Sequence, residues 1–173
     1  MGKTTTSVNV ACQLALDGAH VLLLDFDSQG NATNSLGVDK RAVETTIYDA
    51  LLDDVDISDV VLRGVRPGLD LIPANENLAG AEGELPKLTR YYERLRNTIA
   101  PLANRYDVVV IDCPPSLGVL TVNALVAADA VVVPVQCEYL ALEGLSQFVK
   151  TVDLLKRQAN RNLDILGILM TMY

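Results

Sequence analysis

The chain has 173 residues, 50% apolar and 21% charged, with 14 Lys plus Arg against 22 Asp plus Glu for a formal net charge of −8. This composition excludes disordered, collagen-like and disulfide-scaffold classes, and the length suits one domain able to bury a real core. Residues 1–86 carry a net −9 and residues 87–173 a net +1, so a whole-surface basic footprint for nucleic acid is excluded and only a local patch in the second half is left open.

Gly2-Lys3-Thr4 is the tail of a phosphate-binding loop, whose full form is GxxxxGK[ST]. Such a loop sits between a strand and a helix, and here the helix follows. Thr5 to Asp17 has helical spacing, with Val8, Ala11 and Ala15 on one side and Gly18 as a stop signal. Backbone N–H groups at a helix N-terminus form an anion site, and the positive helix end adds to it. Lys3 would bring a point charge to the β- and γ-phosphates, and the Thr4 hydroxyl a ligand for Mg²⁺. The tripeptide alone also fits a threonine helix cap. Its position at the head of an amphipathic helix in an α/β pattern decides for phosphate.

His20 reads as a residue leading into a strand rather than a ligand. Val21 to Asp25 (VLLLD) is a short continuous apolar run, the pattern of a buried parallel strand. Asp25 and Asp27 leave it side by side, and alternation puts both on one face. One is expected to orient the fold and the other to approach an attacking water. Ser28 to Gly37 reads as a polar loop. Its Gln29-Gly30-Asn31 turn supplies amides and a flexible backbone, as a switch sensing a γ-phosphate would need.

Thr46 to Leu52 is expected as a short helix capped by Thr45 or Thr46. Leu69 to Ile72 follows the Pro67-Gly68 turn as a strand. Asn75 to Leu85 reads as a loop with one helical turn. Lys87 to Asn104 reads as an amphipathic helix with Leu88, Tyr91, Leu95 and Ile99 on its apolar side. Asp107 to Asp112 (DVVVID) is a second buried strand, delivering Asp112 in a Walker B arrangement toward Mg²⁺. An Asp that merely caps the next helix is the plainer reading, and pairing with Gly-Lys-Thr outweighs it. The Cys113 to Gly118 loop leads into a helix to Ala128. Ala130 to Val135 is a strand with Pro134 to Glu138 at its end, Leu142 to Asn160 a helix, and Asp164 to Met170 a last strand.

Alternating strands and helices imply an α/β fold, a mainly parallel twisted sheet with helices on both faces. The candidate residues fall where strand C-termini feed loops. Without repeats or linkers, residues 1–173 form a single domain. It is expected to be partial, cut inside the phosphate loop and again after a late strand. No apolar run approaches the ~20 residues of a membrane-spanning helix, and no signal peptide follows Met1. Cys12, Cys113 and Cys137 are scattered, suit a reducing cytosol and read as small buried side chains. Arg90, Arg94, Arg96 and Lys150, Lys156, Arg157, Arg161 are candidates for a DNA-facing surface, with solvated helix faces the better prior.

Four stretches together carry a family resemblance: GKTTTSVNVA from Gly2, LLLDFDSQGNAT from Leu22, YDVVVIDCPPSLGVLTVNAL from Tyr106 and VVVPVQCEYLALEGL from Val131. They resemble the ParA/Soj-type partition ATPases, in the deviant-Walker group of P-loop NTPases that also includes MinD. The stretches keep the family's order and the resemblance covers essentially the whole chain. DCPPSLG and QGNAT favour ParA/Soj over MinD or the nitrogenase iron protein. The resemblance implies a P-loop NTPase with ATP and Mg²⁺ as cofactors. Gly2, Lys3, Thr4, Thr5, Asp27 and Asp112 would bind the nucleotide, Lys3 and Asp27 would be catalytic, and Thr4 and Asp112 would hold the metal. It further implies an ATP-dependent homodimer, non-specific DNA binding, stimulation by a ParB-like partner and a cytoplasmic, nucleoid-associated location without a membrane.

Three departures bear on this. The family loop reads KGGVGKT, whereas Met1 stands at the Val position and the KGG with its cross-dimer lysine is absent. Ser28 replaces the usual proline. The C-terminal part that carries adenine contacts and most DNA-binding basic residues is not represented. Hydrolysis is therefore an expectation for the longer family member. The alternatives are a non-hydrolysing binding module and a MinD-like membrane-associated regulator, which would need a C-terminal amphipathic helix.

Overall fold

In chain order the elements are α1 (Lys3–Leu16), β1 (Val21–Asp25), α2 (Asn31–Ser35), α3 (Ile47–Leu52) and α4 (Ile57–Val60). Then come β2 (Leu62–Arg66), β3 (Leu69–Ile72), α5 (Leu78–Glu84), α6 (Arg94–Ile99) and β4 (Val108–Asp112). The last are α7 (Val119–Ala127), β5 (Ala130–Gln136), α8 (Tyr139–Gln158) and β6 (Asp164–Thr171). This is a computed structural model, which describes residues 2–137 and 139–172. Met1, Glu138 and Tyr173 lie outside the described residues, Glu138 among them as a strand-end candidate of the sequence.

Every residue of β1 is buried, as its unbroken apolar run requires of a strand covered on both faces. It pairs in parallel with β3 on one side and β4 on the other, and Asp25 lies opposite Asp112 in the register. The backbone clasps His20 to Asp107 below these strands: His20 N–H donates to Asp107 Oδ2 at 2.8 Å and Asp107 N–H donates to the His20 carbonyl at 2.9 Å. His20 thus leads into β1, as expected.

Strand alternation divides β1 between two cores. Leu22 and Leu24 pack with Ile72, Ile47 and Leu51 of α3, Leu78 of α5 and Leu120 of α7. Val21 and Leu23 pack with Leu69 and Leu71 and with Ala11 and Ala15 of α1 on the opposite face. Helices therefore cover both faces, and the ladder at β1, β3 and β4 is parallel. Val152 and Leu155 of α8 join Leu125, Val126 and Leu163 in a third cluster.

The structure departs from the sequence reading at several elements. The strand order is β2-β3-β1-β4, and β5 and β6 pair in parallel as a separate two-stranded sheet. β4 therefore lacks the all-round burial that its apolar run suggests. Side chains of β4 before Asp112 are half-buried, and Val132 of β5 is exposed. α4 and β2 have no counterpart in the sequence reading. β2 is an antiparallel edge strand with a register irregularity between Leu62 and Arg66, and its Arg63, Gly64 and Arg66 carry no apolar alternation.

The stretch expected as a continuous helix over 87–104 is broken. Tyr91–Glu93 and Ala100–Leu102 form single 3-10 turns flanking the six-residue α6. Arg90 takes φ +55°, which no helix interior accepts, and Pro101 removes a donor. Leu95 is buried, but Leu88 is exposed. The 28–37 loop contains α2, and α5 replaces most of the 75–85 loop. Thr46, not Thr45, caps α3 in a reciprocal capping box with Asp49. All three cysteines are free; Cys12 and Cys113 are only half-buried and Cys137 is exposed, contrary to the buried reading.

Candidate functional site

α1 starts on Gly2, whose left-handed φ of +78° turns the chain into the helix without a side-chain cap. Gly2 gives its carbonyl to the Thr6 amide at 2.9 Å and the Thr6 hydroxyl at 2.8 Å. The first turn thus carries no capping side chain and no acidic residue. Its amides and dipole are available to an anion.

Two carboxylates, Asp112 and Asp27, meet this end of α1, and a third, Asp25, lies behind them. Asp112 closes β4 with no exposure. Its Oδ1 accepts from the Ser7 hydroxyl at 3.1 Å. Its Oδ2 is buried with no hydrogen-bonding partner, and no other buried side-chain oxygen or nitrogen among the described residues is in that state. Burial is the main cause that raises the Asp112 pKa, and the Asp27 charge adds to it, whereas the nearby Thr4 hydroxyl, the Ser7 hydrogen bond and the Lys3 charge oppose it. Lys3, Thr4, Ser7 and Asp27 are therefore gathered around one carboxyl group.

Asp25 is also fully buried, and burial pushes its carboxyl up to about 6 against hydrogen bonds from Thr33 and Asp27. Asp27 is 7% exposed, and its Oδ1 accepts the Gln29 amide at 2.9 Å. The structure thus brings Lys3, Thr4, Asp27 and Asp112 together at the head of α1, with Gly2 as the cap. Thr5 is exposed on the same first turn and does not join the carboxylate cluster.

Ser7 is a site residue that the sequence motifs do not single out. The available signal is its spacing: it lies one turn beyond Lys3 and Thr4, on the same face of α1. Asp25 and Thr33 are also outside the expected ligand set, because a hydrogen bond between β1 and α2 is not written in local sequence.

The donor set suits a hard divalent cation. A buried carboxylate oxygen without a proton donor beside a threonine hydroxyl offers hard oxygen ligands, and Lys3 alone faces the two carboxylates Asp112 and Asp27. Among the described residues no group of three or more His, Cys, Asp or Glu is arranged to hold a metal by side chains alone. Mg²⁺ needs no such cage, since it is bound by one or two protein groups with waters and phosphates. A cavity of about 390 Å³ lies at the opposite end of β1, beside His20, Arg63, Asp70 and Tyr106. It touches none of these groups. No helix among the described residues is long and apolar enough to cross a membrane.

The AAA domain family AAA_31 matches residues 1–165. The sporulation initiation inhibitor protein Soj of Bacillus subtilis is 52% identical over 172 residues, covering 99% of this chain and 68% of Soj. The chromosome partitioning protein ParA of Myxococcus xanthus is 49% identical over 173 residues, covering all of this chain and 61% of ParA. The crystal structure of a Mycobacterium smegmatis protein named cobyrinic acid a,c-diamide synthase, with bound ATP analogue and magnesium, superposes with a TM-score of 0.94. It is 44% identical, and the match covers 99% of this chain and 70% of that one.

Proposed function

The chain belongs to the AAA domain family AAA_31, together with Soj and ParA, and from that premise we propose that it is the nucleotide-binding part of an ATP-hydrolysing partition protein. The observation that carries this reading is the orphaned, buried Oδ2 of Asp112 facing the uncapped first turn of α1. A hard cation and a polyphosphate would together complete that arrangement.

In this reading the amides at the head of α1 and the Lys3 ammonium bind the β- and γ-phosphates of ATP, with a further contact from Thr5. The Thr4 hydroxyl and the Asp112 carboxylate hold Mg²⁺. When bound, Mg²⁺ neutralises charge developing on the phosphate oxygens. Asp27, a buried carboxylate next to that site, orients the attacking water. Ser7 fixes the Asp112 rotamer by its hydrogen bond to Oδ1. ATP-dependent dimerisation, non-specific DNA binding and stimulation by a ParB-like protein belong to the same reading, in a cytoplasmic, nucleoid-associated setting. The name of the Myxococcus xanthus relative, chromosome partitioning protein, supports the partition role itself. The single domain of residues 1–173 would be their nucleotide-binding portion.

The name of the Mycobacterium smegmatis protein is that of an amide-forming enzyme. Soj and ParA share more identity with this chain than that protein does, which favours partition.

The test is Mg²⁺-dependent ATP binding and turnover, with and without DNA and a ParB-like protein. Lys3→Ala is expected to abolish binding. Asp27→Ala is expected to keep binding and lower turnover by about 100-fold or more. Full turnover in Asp27→Ala would remove its assignment. Tight Mg·ATP binding with no turnover in the unaltered chain would instead favour the non-hydrolysing module.

A further inference from the structure

Asp25 takes no part in the nucleotide site just described, yet it is completely buried and accepts three hydrogen bonds. Its Oδ1 accepts the Asp27 amide at 3.3 Å. Its Oδ2 accepts both the Thr33 amide and the Thr33 hydroxyl at 2.8 Å. The Thr33 hydroxyl, while donating to Asp25, accepts from the Ala74 amide just beyond β3 at 3.2 Å. One carboxylate therefore ties Asp27, two residues beyond β1, the first turn of α2 and the exit of β3 into a single latch.

We propose that Asp25 is a positioning residue, which through Thr33 closes the 26–33 loop at both ends and thereby sets where the Asp27 carboxylate points. The proposal rests on the ATPase reading, in which Asp27 orients the water.

The loop between the two anchor points holds itself in one shape. The Gln29 amide donates to Asp27 Oδ1, the Gly30 amide donates to the Asp27 carbonyl at 2.9 Å, and Gly30 takes a left-handed φ of +60°. Those bonds fix Asp27 relative to its loop, but they do not fix the loop relative to β1. The Asp25 and Thr33 contacts do that, together with the Phe26 amide, which donates to the Asp112 carbonyl at 2.8 Å.

The chemistry explains why the position is an acid. A buried carboxylate beside two others costs free energy that an apolar residue would avoid. Ionised at neutral pH, it is acceptor-only and meets three donors, whereas an asparagine would turn an NH₂ group toward the Asp27 N–H or toward the Thr33 N–H and O–H. A charge kept at such a cost fits a role in defining one geometry.

The test compares Asp25→Asn, Thr33→Val and Thr33→Ser with the unaltered full chain. Amide exchange is followed over residues 27–33 and at Ala74, together with kcat and KM for ATP. Asp25→Asn and Thr33→Val are expected to speed exchange at those amides by about tenfold or more. They should lower kcat by about 10- to 100-fold with KM within about twofold. Thr33→Ser, which keeps the hydroxyl, should restore both readings.

Unchanged exchange in Thr33→Val overturns the latch, whatever the chain hydrolyses. A fall in turnover explained wholly by fewer sites binding Mg·ATP, with kcat per binding site intact, also overturns it. The ATPase reading fails in a different way, by absence of Mg·ATP turnover in the unaltered chain. Should Asp25→Asn not fold, the Thr33 pair carries the comparison alone.

Discussion

At the scale of single residues, the site is a problem of charge. Asp25, Asp27 and Asp112 are buried close together, and the Asp112 charge raises the cost of ionising Asp25 while the Asp27 charge raises that of ionising Asp112. Asp25 shows the consequence for stability. Its carboxyl lies at about 6 in the fold against an ordinary 3.8, so between those values the folded chain holds a proton that the unfolded chain has released. The associated stability is full below the lower value and is lost as pH rises through the upper one. Urea unfolding at about pH 5 and about pH 7.5 should therefore show the unaltered chain losing about 1 kcal/mol relative to Asp25→Asn over that interval. A flat difference, or one of opposite sign, would mean that burial does not govern this group. At this scale the sequence singled out Lys3, Thr4 and Asp112 by motif, and the structure places them side by side. It was silent about Ser7 and Thr33, whose partners are 105 and 8 positions away.

At the scale of elements, local rules worked where the forces are local. β1 and β3 have the bounds their apolar runs indicate, and Thr46 starts α3 through a capping box that contributes about 1 kcal/mol. The rules failed over 87–104, because side-chain periodicity does not register a left-handed Arg90 or the missing amide of Pro101. The basic residues there are not a free patch. Arg90 and Arg96 pair with Glu93, and Arg94 reaches Asp54 and the Leu51 carbonyl. Lys156 likewise pairs with Asp164. Such surface pairs add little stability, but they occupy these charges within the chain. Gly30 is the residue on which the Asp27 loop turns. Its φ is +60°, and an added Cβ would lie 2.7 Å from the Ala74 carbonyl oxygen and from Lys40 Cδ. Gly30→Ala is thus expected to cost about 1–3 kcal/mol and to weaken turnover before nucleotide binding. Chemical denaturation alongside an ATP titration checks both. An unchanged unfolding midpoint would show that the loop relaxes freely.

At the scale of the whole molecule, the main feature is a sheet in two parts. Four strands end at β4, and β5 pairs with β6 alone. One face of β6 carries Leu166, Ile168 and Met170 at 75%, 52% and 65% exposure. Contiguous apolar surface of this kind favours association. The double substitution Leu166→Glu, Met170→Glu is therefore expected to reduce binding of a hydrophobic dye and self-association in sedimentation, with little change in unfolding free energy. Equal dye binding in the variant would place the apolar surface elsewhere. Sequence patterning identified both strands as apolar, but it could not say which strand each would lie beside.

The sequence by itself determined the α/β alternation, the helix that opens on Gly2-Lys3-Thr4, the acids at the ends of β1 and β4, and the family. Each of these is a short-range pattern, set by chain periodicity or by a few adjacent residues with their own chemistry. The tertiary structure alone decided that Asp112 is left with an orphaned oxygen, that Asp25 holds Thr33, that the 87–104 segment breaks, and that the sheet divides. These depend on partners distant in sequence and on backbone angles, and hydrophobic periodicity carries information about neither.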